Sequence, residues 1–224
     1  MSLSRKNIDA VLFDLDGTLL DSAPDLAFAA NELRIVRGLE PLPLSHYRPF
    51  VGTGARGMLR IALEVNQESL AFEALREEFF AAYARCMGQH SQLFEGVARL
   101  LQQLQYNGLS WGIVTNKAER FALPIARTID EFSTAGAVVC GDTTEHSKPH
   151  PLPLLHAAKQ MGVEPGRCIY VGDDERDMQA AHAAGMQSVA AAYGYLGGTE
   201  SVEEWKPGAV IKSPIDLTHL LRLD

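Results

Sequence analysis

Cysteine is scarce in this chain: Cys86, Cys140 and Cys168 are the only three in 224 residues, and they sit apart in apolar or helical stretches. Neither paired nor metal-type spacing is present, which excludes a disulfide scaffold and a cysteine–zinc site and points to a reducing compartment. Long hydrophobic runs are missing too. Nothing approaches the roughly 18 apolar residues that would suggest a membrane helix. The apolar segment Ile8–Phe13 is followed at once by acids, so it does not read as a secretory signal. Positive charge is in deficit, with 20 Lys and Arg against 28 Asp and Glu and a net charge of −8. That balance argues against a nucleic-acid footprint and requires any phosphate-bearing ligand to be met by local cations. The expectation is a cytoplasmic protein without nucleic-acid or membrane partners.

What is present is the composition of a soluble globular chain, 46% hydrophobic and 21% charged, long enough to bury a full core without staples. Its most distinctive stretch is Val11-Leu12-Phe13-Asp14-Leu15-Asp16-Gly17-Thr18. An apolar run ends in two acids spaced i and i+2, then a glycine and a hydroxyl, as a buried strand breaking into a turn would. Alternation along a strand sends Asp14 and Asp16 to one side and Leu15 to the other. By itself the octapeptide is also compatible with an ordinary strand and polar turn. Two acids held this close repel unless a cation, a proton or a cationic substrate lies between them.

Downstream, Pro24 fits a first helical turn, and helical spacing runs from Asp25 to about Arg37, stopping at Gly38. Two prolines two residues apart make Leu39–Pro43 a loop. Ala55–Val65 and Ser69–Met87 are again helical, the latter with Phe72, Leu75, Phe79, Tyr83 and Cys86 on one stripe. After Gly88 the pattern alternates. Helices are expected over Leu93–Leu104, Ala118–Thr128, Pro153–Met161, up to about Ala184, and at the C-terminus behind Ser213 and Pro214. Strands are expected at Trp111–Thr115, Ala137–Cys140, Cys168–Val171, Ser188–Ala191 and Ala209–Ile211. This is an α/β protein: a doubly wound, Rossmann-like parallel sheet core over 1–20 and 88–224, with an α-helical cap domain inserted over 21–87. Ligands of such sheets bind beyond the carboxyl ends of the strands, where Asp14, Thr115 and Asp173 fall.

Four segments in order, Asp14-Leu15-Asp16-Gly17-Thr18, Val114-Thr115-Asn116, Lys148-Pro149 and Gly172-Asp173-Asp174 with Asp177, resemble the four motifs of the haloacid dehalogenase-like phosphohydrolase superfamily. The helical insertion resembles the subgroup containing phosphoglycolate phosphatase and β-phosphoglucomutase. The stretches Leu19–Ser22, Gly52–Arg56 and Ala180–Gly185 look most like phosphoglycolate phosphatases, whereas His90–Gly96 and Trp111–Lys117 also resemble N-acetylmuramic acid 6-phosphate phosphatases.

That resemblance implies a phosphomonoesterase acting on a small phosphorylated metabolite through an aspartyl-phosphate. Asp14 would be the nucleophile, and Asp16 would protonate the leaving alkoxide and then activate water. A carboxylate meeting a phosphate dianion faces roughly 4 kcal/mol of repulsion per charge pair at 4 Å and an effective dielectric near 20. The resemblance answers this with Mg²⁺, held by Asp14, Asp173 and the backbone carbonyl of Asp16, with Asp174 and Asp177 in a second shell. Lys148 would supply further positive charge. Thr115 would act with the amides around Asn116 on the transferring oxygens, and Thr18 is included with Asn116 among substrate-binding residues.

Gly52–Gly57 matches a G-x-G-x-x-G pattern but lies in the helical block with no strong strand before it, which excludes a dinucleotide fingerprint. By resemblance it is the cap's specificity loop, and Arg56 is the expected contact to a substrate carboxylate or sugar oxygen. His146 and His150 flank Lys148 and read as exposed loop residues; the other histidines show no ligand spacing. Within the family a β-phosphoglucomutase-type mutase would use the same groups. A dehalogenase would lack the acid at Asp16. A receiver-type signalling module would be shorter and have no cap. The expected assembly is a monomer or weak homodimer.

Overall fold

The computed structural model describes residues 7–198 and 201–223. The expected core range also contains 1–6, 199, 200 and 224, which lie outside the described residues. In chain order the strands are β1 (Ala10–Phe13), β2 (Leu20–Asp21), β3 (Gln92–Leu93), β4 (Ser110–Val114), β5 (Val138–Val139), β6 (Cys168–Gly172), β7 (Gln187–Ala191) and β8 (Ala209–Ile211). The α-helices are α1 (Ala23–Ile35), α2 (Leu44–Tyr47), α3 (Gly54–Leu63), α4 (Phe72–Cys86), α5 (Val97–Tyr106), α6 (Glu119–Thr128), α7 (Leu152–Gln160), α8 (Glu175–Ala183) and α9 (Asp216–Leu221).

Six strands form one parallel sheet in the order β5-β4-β1-β6-β7-β8. All four residues of β1 are buried, because parallel sheets are covered on both faces. Its side chains divide by alternation. Val11 and Phe13 join the apolar cluster under α5, α6 and α9, whereas Ala10 and Leu12 join the one under α7 and α8. The chain runs outward from β1 to β4 and β5, then returns to lay β6 on the opposite side of β1. The order of connection therefore reverses between β1 and β6, where an open sheet leaves a crevice at its carboxyl edge.

Helices α1 to α4 pack on one another around a separate apolar cluster, to which the sheet region contributes Phe121 and Tyr195. The chain passes into this block along β2 and out along β3, and the two strands pair antiparallel, Leu20 with Leu93 and Asp21 with Gln92. The segment expected as helix from Leu93 thus begins as a strand, and α5 starts only at Val97, after Gly96 at φ 91°. Leu93 obeys its cross-strand partner, not the helical spacing that follows it. The closing helix also starts later than expected, at Asp216. There the carboxylate, not the Ser213 hydroxyl, takes the amides of Lys212 and Ser213 at 2.9 Å.

Candidate active site

Asp14 follows β1 and Asp173 follows β6, so the switch in strand order places them on either side of one crevice. Leu15 is buried in the core while Asp14 and Asp16 both line the cavity, as alternation requires. The turn that follows needs glycine: Gly17 has φ +90°, and a Cβ there would lie 2.2 Å from Asp173 Oδ2. Asp14 Oδ1 accepts the Leu15 amide at 2.8 Å and lies 2.9 Å from Lys148 Nζ.

Lys148 is buried. Its ammonium also reaches Asp177 Oδ1 at 2.8 Å, the Val114 carbonyl at 3.0 Å and the Tyr170 hydroxyl at 2.8 Å. Burial alone would depress this lysine, but the carboxylates of Asp14 and Asp177 outweigh it and hold its pKa above the ordinary value. Asn116 fixes the backbone of the same loop. Its amide donates to the Lys148 carbonyl and accepts from the Lys148 N–H, both at 2.9 Å. The Asn116 side chain is thereby engaged on both sides. Thr115, at the end of β4, is buried and lines the cavity.

Asp14, Asp173 and Asp177 present carboxylate oxygens within 4.8 Å of one another. Burial pushes Asp173 well above the ordinary aspartate pKa, and the charges of Asp14 and Asp177 add to this. The Tyr195 amide at 2.8 Å and the Thr18 hydroxyl at 3.0 Å offset it in part. Asp177 is pushed up to about 7 by burial, against the pull of Lys148. Its second oxygen accepts the Asp174 amide at 3.1 Å, closing a capping box at the start of α8. Asp174 turns to Arg176 in a two-pronged pair at 2.7 Å, and Arg176 also donates to the Gly52 carbonyl of the helical block at 2.6 Å.

The cavity measures about 310 Å³; its charged lining comprises Asp14, Asp16, Asp173, Asp174 and Asp177 against Lys117, Lys148 and Arg176. Five acids face three cations, and the three clustered acids offer only oxygen. This donor chemistry suits a hard divalent cation, and the local excess of negative charge calls for one.

Two expected substrate contacts do not line the cavity. Thr18 is buried behind Asp173 and spends its hydroxyl there. Arg56 is exposed on α3, directly after the Gly52–Ala55 segment that does line it. His146 and His150 are exposed, their rings 4.4 Å apart, and neither lines the cavity. Conversely, Lys117 is a functional candidate that the motif reading passed over. Its ammonium holds both Asp16 oxygens, at 3.0 and 3.1 Å, and lies 4.8 Å from the centroid of Tyr83 in α4. Ser22 donates to the same Asp16 carboxylate. A lysine directly after Thr115-Asn116 was the available signal. Arg176, inside an acidic run, and Tyr83, on a core stripe, had none.

A doubly wound sheet with paired acids at its switch point, a buried lysine and a helical block over the crevice defines a class of hydrolase. The family model of haloacid dehalogenase-like hydrolases matches residues 11–191, and the chain belongs to that family. It is 46% identical over 208 residues to a phosphoglycolate phosphatase of Xanthomonas campestris pv. campestris, covering 93% of this chain and 94% of that one. It is 38% identical over 212 residues to an N-acetylmuramic acid 6-phosphate phosphatase of Pseudomonas putida, covering 95% of each. Among solved structures, a predicted phosphoglycolate phosphatase from Haemophilus somnus 129PT superposes with a TM-score of 0.84 at 26% identity, covering 96% of this chain and 98% of that one.

Proposed function

We propose that the protein hydrolyses a small phosphorylated metabolite, with Asp14 as nucleophile, and that residues 21–87 act as a cap domain over a core of 1–20 and 88–224. The observation that carries the reading is the Asp14 carboxylate, held beside the enclosed Lys148 and joined by Asp173 and Asp177 at one strand switch. An Asp14 oxygen attacks phosphorus, the ester P–O bond breaks, and Asp16 gives the leaving alkoxide its proton. Asp16 then takes a proton from water as that water attacks the aspartyl-phosphate, freeing inorganic phosphate and restoring Asp14. Lys148 offsets charge on the nucleophile and the transferring group, and Thr115 with the backbone at Asn116 orients its oxygens. Asp14, Asp173 and Asp177 would hold Mg²⁺, with the Asp16 carbonyl a further ligand; the ion would neutralise charge on the phosphoryl oxygens.

The relatives' names make 2-phosphoglycolate the first candidate substrate. N-acetylmuramic acid 6-phosphate is the second, favoured by a cavity larger than a two-carbon acid fills. Phosphate release with Mg²⁺ from these two, glucose phosphates and nucleotides tests the reading and separates a phosphatase from a mutase, which releases little. The reading expects release that is lost in Asp14→Asn; an Asp14→Asn variant that keeps turnover sinks it. Cytoplasmic location and a monomeric or weakly dimeric state belong to the same proposal.

A further inference from the structure

Lys117 lines the cavity, yet its ammonium is committed to another side chain. The residue's side chain is 9% exposed, and Nζ reaches both oxygens of Asp16, at 3.0 and 3.1 Å. Tyr83 of α4 meets the same ammonium, its ring centroid 4.8 Å from Nζ. Phe79, stacked at 6.4 Å, and Phe121, edge-on at 5.3 Å, pin that ring in turn. Burial alone would depress the lysine, but Asp16 and Tyr83 outweigh it and hold its pKa above the ordinary value. A long, flexible side chain is thus held charged and in one place, against the carboxylate that has to move a proton.

The effect on Asp16 can be counted atom by atom. An ionised carboxylate has about four lone-pair positions, two on each oxygen. Oδ1 accepts from Lys117 and from the Ser22 hydroxyl, which fills it. Oδ2 accepts from Lys117 alone among the described residues. The vacant position is therefore on Oδ2, and Asp16 lines the cavity. Held by Ser22 alone, the carboxyl group could turn about that single contact; the two-pronged lysine contact fixes its plane.

We propose that Lys117 is a positioning residue for proton transfer, fixing the Asp16 carboxyl so that Oδ2 is the oxygen that exchanges protons with substrate and water. The inference rests on the phosphatase reading above and adds a residue to it. The proton on Oδ2 passes to the leaving alkoxide as the ester P–O bond breaks, and Oδ2 takes one back from the water that attacks the aspartyl-phosphate. Lys117 keeps its own proton throughout.

The leaving group separates this role from others, because p-nitrophenolate is a stable anion that departs without a proton, whereas an alkoxide needs one. The test measures kcat/KM, with Mg²⁺, for p-nitrophenyl phosphate and for whichever of 2-phosphoglycolate, N-acetylmuramic acid 6-phosphate and glucose 6-phosphate the wild type turns over fastest. This constant covers the steps through departure of the leaving group and leaves out the later hydrolysis. In Lys117→Met the alkyl-to-aryl ratio should fall about tenfold to a hundredfold, part of the roughly 10²–10⁴ that a general acid supplies. Both esters are read on one preparation, so loss of folded protein does not move the ratio. Lys117→Gln, which keeps a polar partner for Asp16, covers the case in which Lys117→Met does not fold, and its ratio should fall about threefold or more. A ratio that stays level, whether both esters are lost equally or neither is, makes Lys117 a phosphate ligand or a prop of the fold; it overturns the inference and leaves the phosphatase reading standing. Absence of phosphate release from every ester in the wild type overturns both.

Discussion

Lys148 is enclosed, yet it satisfies its charge four ways, on two carboxylates, a carbonyl and a tyrosine hydroxyl. Shortening the side chain or removing the charge leaves Asp14 and Asp177 facing each other uncompensated. Lys148→Ala should therefore lower kcat by about a thousandfold or more, as loss of an electrostatic group in a water-poor site does. Steady-state kinetics check this. The raised aspartates make a second, signed prediction. Asp177 moves from the ordinary 3.8 to about 7, so without a dication the folded chain holds more protons than the unfolded one between those values. Stability of the metal-free protein then falls as pH rises through that window. A bound dication needs the carboxylates ionised, so Mg²⁺ should raise the melting temperature of the protein, relative to chelator, and more steeply per ion bound at pH 7 than at pH 5. An increment that shrinks with rising pH contradicts the three-aspartate site.

At the scale of elements, the return from the helical block is held by one buried carboxylate. Asp25, in the first turn of α1, accepts the amides of Gly88 and His90 at 2.7 and 2.8 Å and the hydroxyl of Ser91. Asp25→Ala strands these donors and should cost about 2–4 kcal/mol in denaturant unfolding, whereas Asp25→Asn retains part of the bonding and costs less. Arg176 does the corresponding work across the crevice, tying α8 to the Gly52 carbonyl. Arg176→Ala should speed amide exchange around residues 50–54 and leave β1 and β6 protected. Long helices such as α1 and α4 were legible in the sequence because fifteen or so residues of apolar spacing outweigh local exceptions. The β2–β3 ribbon was not. Two residues per strand carry no period, and their pairing depends on partners more than seventy positions apart.

Across the whole molecule, the sequence made the core easy to place, because each parallel strand is a short, mostly apolar run between helical stretches. It also brought Asp14, Thr115 and Asp173 together in advance, since each stands at a strand's carboxyl end, whereas Lys148, in the loop after β5, was legible only through its motif. Residues whose partners lie across the crevice were hidden: Lys117 on Asp16 and Tyr83, Arg176 on Gly52, and the displacement of Arg56 from the cavity all depend on how the helical block rests on the sheet. Phe121 and Tyr195 enter the apolar cluster of that block, so the two halves share a core. Calorimetric unfolding should accordingly give one transition with matching van't Hoff and calorimetric enthalpies, and two resolved transitions would separate the block from the sheet.

The central claim is that Asp14 forms a covalent bond to phosphorus, and it can be read directly by mass spectrometry of enzyme acid-quenched during turnover with Mg²⁺ and a phosphate ester it hydrolyses. The account predicts one added phosphoryl group, mapped to the peptide containing Asp14 and absent from Asp14→Asn. A phosphoryl group on another residue, or an Asp14→Asn variant that still releases phosphate, would contradict it.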